Sequence, residues 1–205
     1  MRAVLVLAGG RSTRFGDRDK AVADLAGTPM IRRVVDRVVG IVDEVVLNCR
    51  SDQEDAIRAA FADADVDPTL AIDREPDAGP MAGIARGLEE VDAEYAFVVA
   101  CDMPFVDPAF VEHLFERAED HDAAVPRPDE WFQTTQAVYR TEPMLAACRR
   151  ALERDDSRIV APLEDLDTVV LDRDEIERVS SMGTFENLNT HEEFERAVER
   201  LSGEG

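Results

Sequence analysis

The segment from Leu7 to Lys20 combines residue types that suit phosphate chemistry. It reads LAGGRSTRFGDRDK and directly follows a short apolar run. Two adjacent glycines, Gly9 and Gly10, let backbone N–H groups approach an anion closely and allow positive φ, which favours a phosphate nest. Four basic residues, among them Arg14 and Lys20, lie within ten positions and add cationic partners. The segment therefore predicts binding of a polyphosphate.

Lys20 is unusual because it is the only lysine of the chain, whereas 22 of the 23 basic residues are arginine. A position that keeps lysine in such a composition is expected to need a compact ammonium rather than a planar guanidinium. The spacing matches neither a Walker A loop, which needs Gly-x4-Gly-Lys-Ser/Thr, nor the Gly-x-Gly-x-x-Gly dinucleotide motif. The phosphate loop is therefore of another type.

Asp102 follows a second apolar run, in the segment VVACDMPF. Pro104 stops strand pairing and biases Met103 towards an extended conformation, which leaves Asp102 at the edge of a sheet. A carboxylate that faces nucleotide phosphates needs a cation between them, and Mg²⁺ held by one or two carboxylates plus phosphate oxygens is the usual solution. Asp107 ahead of Pro108 suits the alternative role of capping the next helix. We therefore predict that Asp102 binds Mg²⁺.

Other polar residues occur where predicted strands end. Asn48 ends the second strand, and Asp73 follows the third, ahead of the small-residue segment GPMAGI. Two amides, Asn187 and Asn189, lie in the loop NLNT before the last predicted helix, where asparagine is also ordinary as a turn or cap residue. Ligands of parallel sheets bind beyond the carboxyl ends of the strands, so Asn48 and Asp73 are expected at the site.

Composition and charge limit the class of protein. The 205 residues carry a formal net charge of −22, which argues against binding to nucleic acid or to an acidic membrane surface. No apolar run approaches the ~20 residues of a membrane span, and the first residues lack the pattern of a secretory signal, so we expect a cytoplasmic protein. The acidic, lysine-poor composition is typical of halophilic proteins, although codon bias also replaces lysine by arginine. Three scattered cysteines are expected to be small buried residues.

Seven apolar, β-branched runs predict strands. Segments with helical spacing lie between the early runs, which favours an α/β fold with a mainly parallel, doubly wound sheet. No linker or repeat interrupts the chain, so residues 1–205 are predicted to form a single domain. A helix capped by Thr190 is expected to close it, and residues 126–132 are expected to form an exposed loop. The runs are Ala3–Leu7, Val45–Asn48, Thr69–Ile72, Tyr95–Ala100, Ala123–Pro126, Gln136–Tyr139 and Thr168–Leu171.

These motifs together resemble the molybdenum cofactor guanylyltransferase family, within the Rossmann-like nucleotidyltransferases. The resemblance rests on LAGGRSTRFG with Asp19-Lys20, Asp73 ahead of GPMAGI, CDMPF, and NLNT, in unbroken order along nearly the whole chain. It implies transfer of GMP from GTP to molybdopterin-bound molybdenum cofactor, with release of pyrophosphate. It further implies transient contact with molybdoenzymes or their chaperones.

The resemblance also implies residue roles. Asp102 would hold Mg²⁺. Our own hypothesis adds the catalytic roles: Mg²⁺ on Asp102 stabilises the α-phosphate, and Arg14 and Lys20 neutralise the leaving pyrophosphate. The amides of Asn187 and Asn189 would lie near the site. The nucleotide would contact Leu7, Ala8, Gly9, Lys20, Asn48, Asp73 and Asp102, beside the nest that includes Gly10.

Two other readings stay open. A sister enzyme of the same fold, such as a molybdopterin cytidylyltransferase, an adenosylcobinamide-phosphate guanylyltransferase or a sugar-phosphate nucleotidyltransferase, would share most of these residues. A non-catalytic nucleotide-binding protein for cofactor delivery would not need Asp102 beside a transferred phosphate. Relatives often carry Gln-Pro-Leu-His-Ala where this chain has Gln133 to Ala137. The sequence therefore defines the substrate that accepts the nucleotide less sharply than the nucleotide itself. Trp131 and Phe132 nearby suit either stacking on a pterin or a packed lid.

Overall fold

A seven-stranded sheet lies between two layers of helices in the computed structural model, which describes residues 1–10, 19–75 and 78–203. The strands are β1 (Arg2–Leu7), β2 (Asp24–Leu25), β3 (Thr28–Pro29), β4 (Glu44–Cys49), β5 (Thr69–Ile72), β6 (Tyr95–Ala100), β7 (Ala123–Arg127), β8 (Gln136–Arg140) and β9 (Thr168–Asp172). The sheet has the order β5-β4-β1-β6-β8-β7-β9, and β8 runs antiparallel to both of its neighbours. The predicted α/β, mainly parallel fold is confirmed.

The helices cover both faces of this sheet. They are α1 (Met30–Val38), α2 (Glu54–Ala60), α3 (Pro80–Leu88), α4 (Pro108–Ala118), α5 (Thr141–Glu153), α6 (Arg173–Val179) and α7 (His191–Gly203). Helices α1, α2, α4 and α6 contribute to the apolar cluster on one face, and α3 and α5 contribute to the cluster on the other. Strand β1 divides its side chains between them, because Val4 and Val6 join the first cluster while Leu5 joins the second. Within the described residues, no helix has the length and apolar character needed to cross a membrane.

Each of the seven predicted strands is present, with bounds that differ by at most one residue at either end. The short hairpin of β2 and β3 was not predicted, because two-residue strands leave no periodic pattern. The expected exposed loop at residues 126–132 is wrong at its beginning. Pro126 pairs with Leu171 inside β7, and both Pro126 and Pro128 are buried. Parallel pairing with β9 thus extends the strand past the proline.

Two predicted helix caps are confirmed. The Asp107 carboxylate accepts a hydrogen bond from the backbone N–H of Ala109 at 3.0 Å, at the start of α4. At the start of α7, Thr190 Oγ1 accepts from the Glu193 N–H at 3.2 Å, and Glu193 Oε2 accepts from the Thr190 N–H at 2.9 Å. This reciprocal pair satisfies two backbone donors and fixes where the last helix begins.

Two of the three cysteines are buried, as expected. Cys49 and Cys148 are buried, and Cys101 is half-buried at the end of β6. Burial raises the pKa of the Cys49 and Cys148 thiols to about 12. Burial, followed by the charge of Asp102, also raises the pKa of Cys101. All three thiols therefore stay protonated near neutral pH.

We expect the folded protein to resist a thiol reagent at pH 8, because the reagent attacks a thiolate and these thiols hold their protons. The number of modified cysteines should rise to three once denaturant unfolds the chain, which serves as the internal control. The measurement is the absorbance released by a disulfide reagent over time. Rapid labelling of the native protein would contradict the buried, protonated state.

A second expectation concerns Gly87, where α3 packs against β1. A Cβ added there would overlap the side chain of Leu5, which is fully buried and has no free space to move. Gly87→Ala should therefore lower the free energy of unfolding by about 1–3 kcal/mol through overpacking, as measured by urea denaturation. Gly203→Ala is the matched control, because Gly203 is also helical and nothing lies within 4 Å of its added Cβ. Equal stability of the two variants would contradict the close packing.

Candidate active site

One cavity of about 1000 Å³ opens at the carboxyl edge of the sheet. Residues at or just after the ends of β1, β4, β5 and β6 contribute to its wall, together with residues of α3 and α5. The strand ends are held level by backbone bonds: Ala8 N–H donates to the Asn48 carbonyl at 2.8 Å, and Cys101 N–H donates to the Leu7 carbonyl at 3.0 Å. The site predicted from the strand ends is thus one continuous space.

Lys20 lies at one end of the cavity. It opens a short 3₁₀ turn whose first residue is capped by Asp19, and only 7% of Lys20 is exposed. Its ammonium donates to Asp102 Oδ2 at 2.7 Å and to Asn189 Oδ1 at 3.1 Å. Asn189 reaches this position because the N–H of the preceding Leu188 donates to the Asp102 carbonyl at 2.9 Å. Three segments far apart in the sequence therefore meet at a single cation.

Asn48 and Asp73 form a second polar group, at the ends of β4 and β5. The Asn48 amide donates to Asp73 Oδ1 at 2.7 Å and to the Ala71 carbonyl at 3.0 Å, and Asn48 is 2% exposed. Gly9 passes so close that an added Cβ would lie 2.6 Å from Asp73 Oδ2. The glycine is therefore required here by space, and the pair of buried Asn48 and half-buried Asp73 is held in one geometry.

The backbone of the glycine-rich loop is held by two side chains that the sequence did not single out. Gln53 donates to the Ala8 carbonyl at 3.0 Å, and Arg50 donates to the carbonyls of Gly9 and Gly10 at 3.2 and 3.1 Å. Among the described residues, the N–H groups of Gly9 and Gly10 have no acceptor. These two donors are available to an oxygen atom of a ligand. The sequence feature that could have placed Arg50 and Gln53 near the site is their position just after Asn48.

The charge of the cavity wall differs from that of the chain as a whole. Among the residues that the structure describes, the wall carries four basic and four acidic side chains, so this part of the wall has a formal charge of zero in a chain of net charge −22. A neutral wall lets a polyphosphate enter where most of the surface would repel it. The basic members are Lys20, Arg74, Arg86 and Arg149, and the acidic members are Asp73, Glu75, Glu89 and Asp102.

Most of the residues predicted for the site lie on this wall: Leu7, Ala8, Gly9, Gly10, Lys20, Asn48, Asp73, Asp102 and Asn189. Asn187 does not line the cavity, and it is exposed. It lies one residue before the buried Leu188, whereas Asn189 lies one residue after it. Arg14 belongs to the part of the glycine-rich segment that lies outside the described residues.

The segment from Gln133 to Ala137 contributes one residue, Thr135, to the cavity wall. The Thr135 carbonyl accepts a hydrogen bond from the Ala100 N–H at 3.2 Å. Gln136 is fully buried and donates to Thr184 Oγ1 at 2.8 Å, so it serves packing. Trp131 is 73% exposed, and Phe132 lies under the Arg127 guanidinium at 5.3 Å. Neither aromatic ring lines the cavity, so the structure gives no support to pterin stacking on them.

A substitution at Gly83 tests the geometry of the Asn48–Asp73 pair. A Cβ at Gly83 would lie 2.5 Å from Asn48 Oδ1 and 3.4 Å from its Cγ, so Asn48 would have to move. We expect Gly83→Ala to weaken GTP binding about tenfold, the size of one lost hydrogen bond to a charged group, as measured by titration calorimetry. Gly40→Ala, where an added Cβ meets nothing within 4 Å, is the control. Unchanged affinity in Gly83→Ala would contradict a role of this pair in binding.

Comparison with known sequences identifies the family of the chain. The MobA-like NTP transferase domain matches residues 4–169. A probable molybdenum cofactor guanylyltransferase of Natronomonas pharaonis is 53% identical over 201 residues, which cover 98% of each chain. A protein of the same description from Haloferax mediterranei is 38% identical, over 92% of this chain and 89% of its own.

Comparison with solved structures gives the same fold. The crystal structure of molybdopterin-guanine dinucleotide biosynthesis protein A from Archaeoglobus fulgidus matches with a TM-score of 0.79 and 27% identity, over 98% of this chain and 99% of that chain. A nucleotidyl transferase from Methanothermobacter thermautotrophicus, 17% identical with a TM-score of 0.76, shares the fold over 100% of this chain and 99% of its own. The predicted resemblance is confirmed, and the chain belongs to the MobA-like NTP transferase family.

Proposed function

We propose that this protein transfers GMP from GTP to the molybdopterin form of the molybdenum cofactor and releases pyrophosphate. A phosphate oxygen of the acceptor attacks the α-phosphorus of GTP, so that one new P–O bond forms. The bond between the α-phosphorus and the oxygen that bridges to the β-phosphate breaks, and its electron pair leaves with pyrophosphate. The product is the guanine dinucleotide form of the cofactor. Relatives of 53% and 38% identity that are described as guanylyltransferases support this reaction.

The observation that carries the proposal is the meeting of Lys20, Asp102 and Asn189 in the same cavity as Asn48 and Asp73. A cation, a carboxylate and one amide group lie at one end, where phosphate chemistry needs charge neutralisation. The Asn48–Asp73 pair offers hydrogen bonds to the nucleoside at the other end, and the N–H groups of Gly9 and Gly10 offer hydrogen bonds to phosphate oxygens. Nucleotidyl transfer depends mainly on such positioning and electrostatic stabilisation, as phosphoryl transfer does.

Lys20 is the residue to which we assign the neutralisation of negative charge during the transfer. Its ammonium is nearly buried, so its attraction for a phosphate oxygen is screened less than at the surface. Asp102 and Asn189 hold its position before the substrate arrives. Arg14, in the glycine-rich segment, is proposed to share this role towards the leaving pyrophosphate.

The residues fit a magnesium ion at Asp102. One oxygen of this carboxylate accepts from Lys20, and its side chain is 21% exposed at the cavity wall, so the carboxylate can take a further ligand. No group of three or more metal-ligating side chains occurs among residues 1–10, 19–75 and 78–203, and a site completed by phosphate oxygens and water needs none. When bound, Mg²⁺ would supply electrostatic stabilisation of the α-phosphate.

The setting of the reaction completes the proposal. We place the protein in the cytoplasm and expect transient contact with the molybdoenzymes, or their chaperones, that receive the product. The net charge of −22 and the single lysine support adaptation to high salt, and the relatives from Natronomonas pharaonis and Haloferax mediterranei agree with it. We therefore expect full activity in molar KCl, where charge repulsion is screened within about 3 Å.

The first test measures pyrophosphate release with Mg²⁺ and molybdenum cofactor, with GTP and CTP offered in parallel. We expect release with GTP and not with CTP. Release with CTP alone would assign the chain to the sister cytidylyltransferase activity. No release with either nucleotide, although GTP binds, would favour the delivery protein and would contradict the proposed transfer.

The second test replaces Asp102 by asparagine, which keeps the size of the side chain and removes the charge. We expect Asp102→Asn to slow pyrophosphate release by about 100-fold or more, as for loss of one electrostatic group at a transferred phosphate. Asp165→Asn is the matched control, since Asp165 pairs with Arg150 at 2.9 Å outside the cavity. Circular dichroism checks that both variants are folded. Near-normal turnover of Asp102→Asn would contradict the metal assignment.

A further inference from the structure

The cavity continues from the strand ends into a groove between α3 and α5, which we call the α3–α5 groove. Ala82, Ala85 and Glu89 form one side, and Arg149 and Leu152 of α5 form the other. The α3 residues recur at helical spacing and share one face, with Glu89 directly after the last residue of the helix. The two alanines leave an apolar channel that extends for about 10 Å along the helix.

A charged cluster closes the far end of this groove. Arg149 donates to Glu89 Oε1 at 2.9 Å, Arg74 Nη2 lies 2.7 Å from Glu89 Oε2, and Arg86 Nη1 lies 3.5 Å from the same oxygen. Burial alone would raise the pKa of Glu89, but the hydrogen bond from Arg149 and the charges of the arginines lower it overall. The groove therefore ends in an ionised carboxylate beside several guanidinium groups.

The exposures within the cluster leave space for a ligand. The Glu89 side chain is 16% exposed, whereas the side chains of Arg74 and Arg149 are 73% and 56% exposed. Glu89 Oε2 is buried and has no hydrogen-bond partner among the described residues, although Arg74 Nη2 lies close to it as an ion pair. A ligand donor can therefore take this oxygen when the exposed Arg74 side chain moves aside. Displacement leaves Glu89 as an acceptor and Arg149 as a donor, side by side at the end of an apolar channel.

We propose that the α3–α5 groove receives the pterin of the acceptor, and that Glu89 and Arg149 bind its 2-amino-4-oxopyrimidine edge. This edge presents two donors, the 2-amino group and the ring N3–H, next to one acceptor, the 4-oxo group. A carboxylate accepts from the two donors, and a guanidinium donates to the oxygen. The inference rests on the proposed function for the identity of the acceptor.

Guanine carries the same edge, but the fold assigns the groove to the pterin. Asn48, Asp73, Gly9 and Gly83 already enclose a polar pocket at the ends of β1, β4 and β5. One side of the α3–α5 groove is α5, which directly follows β8, and β8 is the neighbour of β6 on the Asp102 side of the sheet. The acceptor approaches the reacting phosphate from this side, and the nucleoside occupies the other.

The kinetic test uses Glu89→Gln and Arg149→Gln. Each change removes one charged partner, and Arg149 is exposed enough that its loss should not prevent folding. We expect KM for the molybdenum cofactor to rise about tenfold in each variant, with KM for GTP and kcat within twofold of the original. The neighbouring residues give matched controls, Glu90→Gln and Arg150→Gln, because Glu90 pairs with Arg86 and Arg150 pairs with Asp165 outside the cavity wall.

Two kinetic results would overturn the inference. If KM for the cofactor stayed within twofold in both variants, the cluster would have no part in acceptor binding. If KM for GTP rose instead, the edge recognised in the groove would be that of guanine. A purely structural role would raise both KM values and lower the melting temperature together, so thermal unfolding of each variant is measured alongside.

Direct binding separates this inference from the proposed function. Neopterin, a free pterin, is titrated into the full chain, and its fluorescence is followed. We expect Glu89→Gln to weaken neopterin binding about tenfold and Glu90→Gln to leave it unchanged. Glu89-dependent binding without pyrophosphate release would uphold the groove and contradict the transferase. Normal release, with neopterin binding that is absent or indifferent to Glu89, would uphold the transferase and overturn the groove.

Discussion

The parallel pairing of β1 between β4 and β6 is the constraint on which the site depends. Leu7 pairs with Asn48 on one side and with Ala100 on the other, so three strands end at the same level. Their apolar side chains are buried on both faces, and a slip of one residue would turn each side chain to the opposite face. The register therefore fixes the glycine loop, Asn48 and Asp102 relative to each other.

Lys20 then joins this edge to parts of the chain that the sheet does not position. Burying an ammonium is costly unless it is paired and hydrogen-bonded, and Asp102 and Asn189 meet both conditions. The bond from Leu188 to the Asp102 carbonyl fixes the segment that precedes α7, and the capping box at Thr190 starts the helix directly afterwards. Removal of the lysine would thus loosen the closing segment as well as the phosphate end of the cavity. An arginine could not simply replace it, because the planar group needs more space.

The fold and the site residues at the strand ends could be predicted from the sequence, because both depend on local patterns. Buried strands such as Tyr95–Ala100 read as continuous apolar runs, and Asp102 directly follows such a run. Glu89 and Arg149 could not be predicted, because they lie on separate helices among many similar charged residues. Only the packing of α3 against α5 brings them together. Arg50 was missed for another reason: the carbonyls of Gly9 and Gly10 that it holds carry no sequence signal of their own, and its position just after Asn48 was the sign that pointed to the site. Asn187 was predicted with Asn189, but only Asn189 lines the cavity.

The cavity wall is neutral in the part that the structure describes, whereas the protein as a whole is strongly acidic, and this contrast has a kinetic consequence. GTP and the cofactor are anions, so at low ionic strength the field of the whole molecule opposes their approach, and only the last few ångströms near the wall are free of repulsion. Added salt screens the long-range field much more than the short contacts inside the cavity. Encounter between enzyme and substrate should therefore become faster with ionic strength, which is the reverse of the dependence shown by enzymes that attract their substrates over a distance.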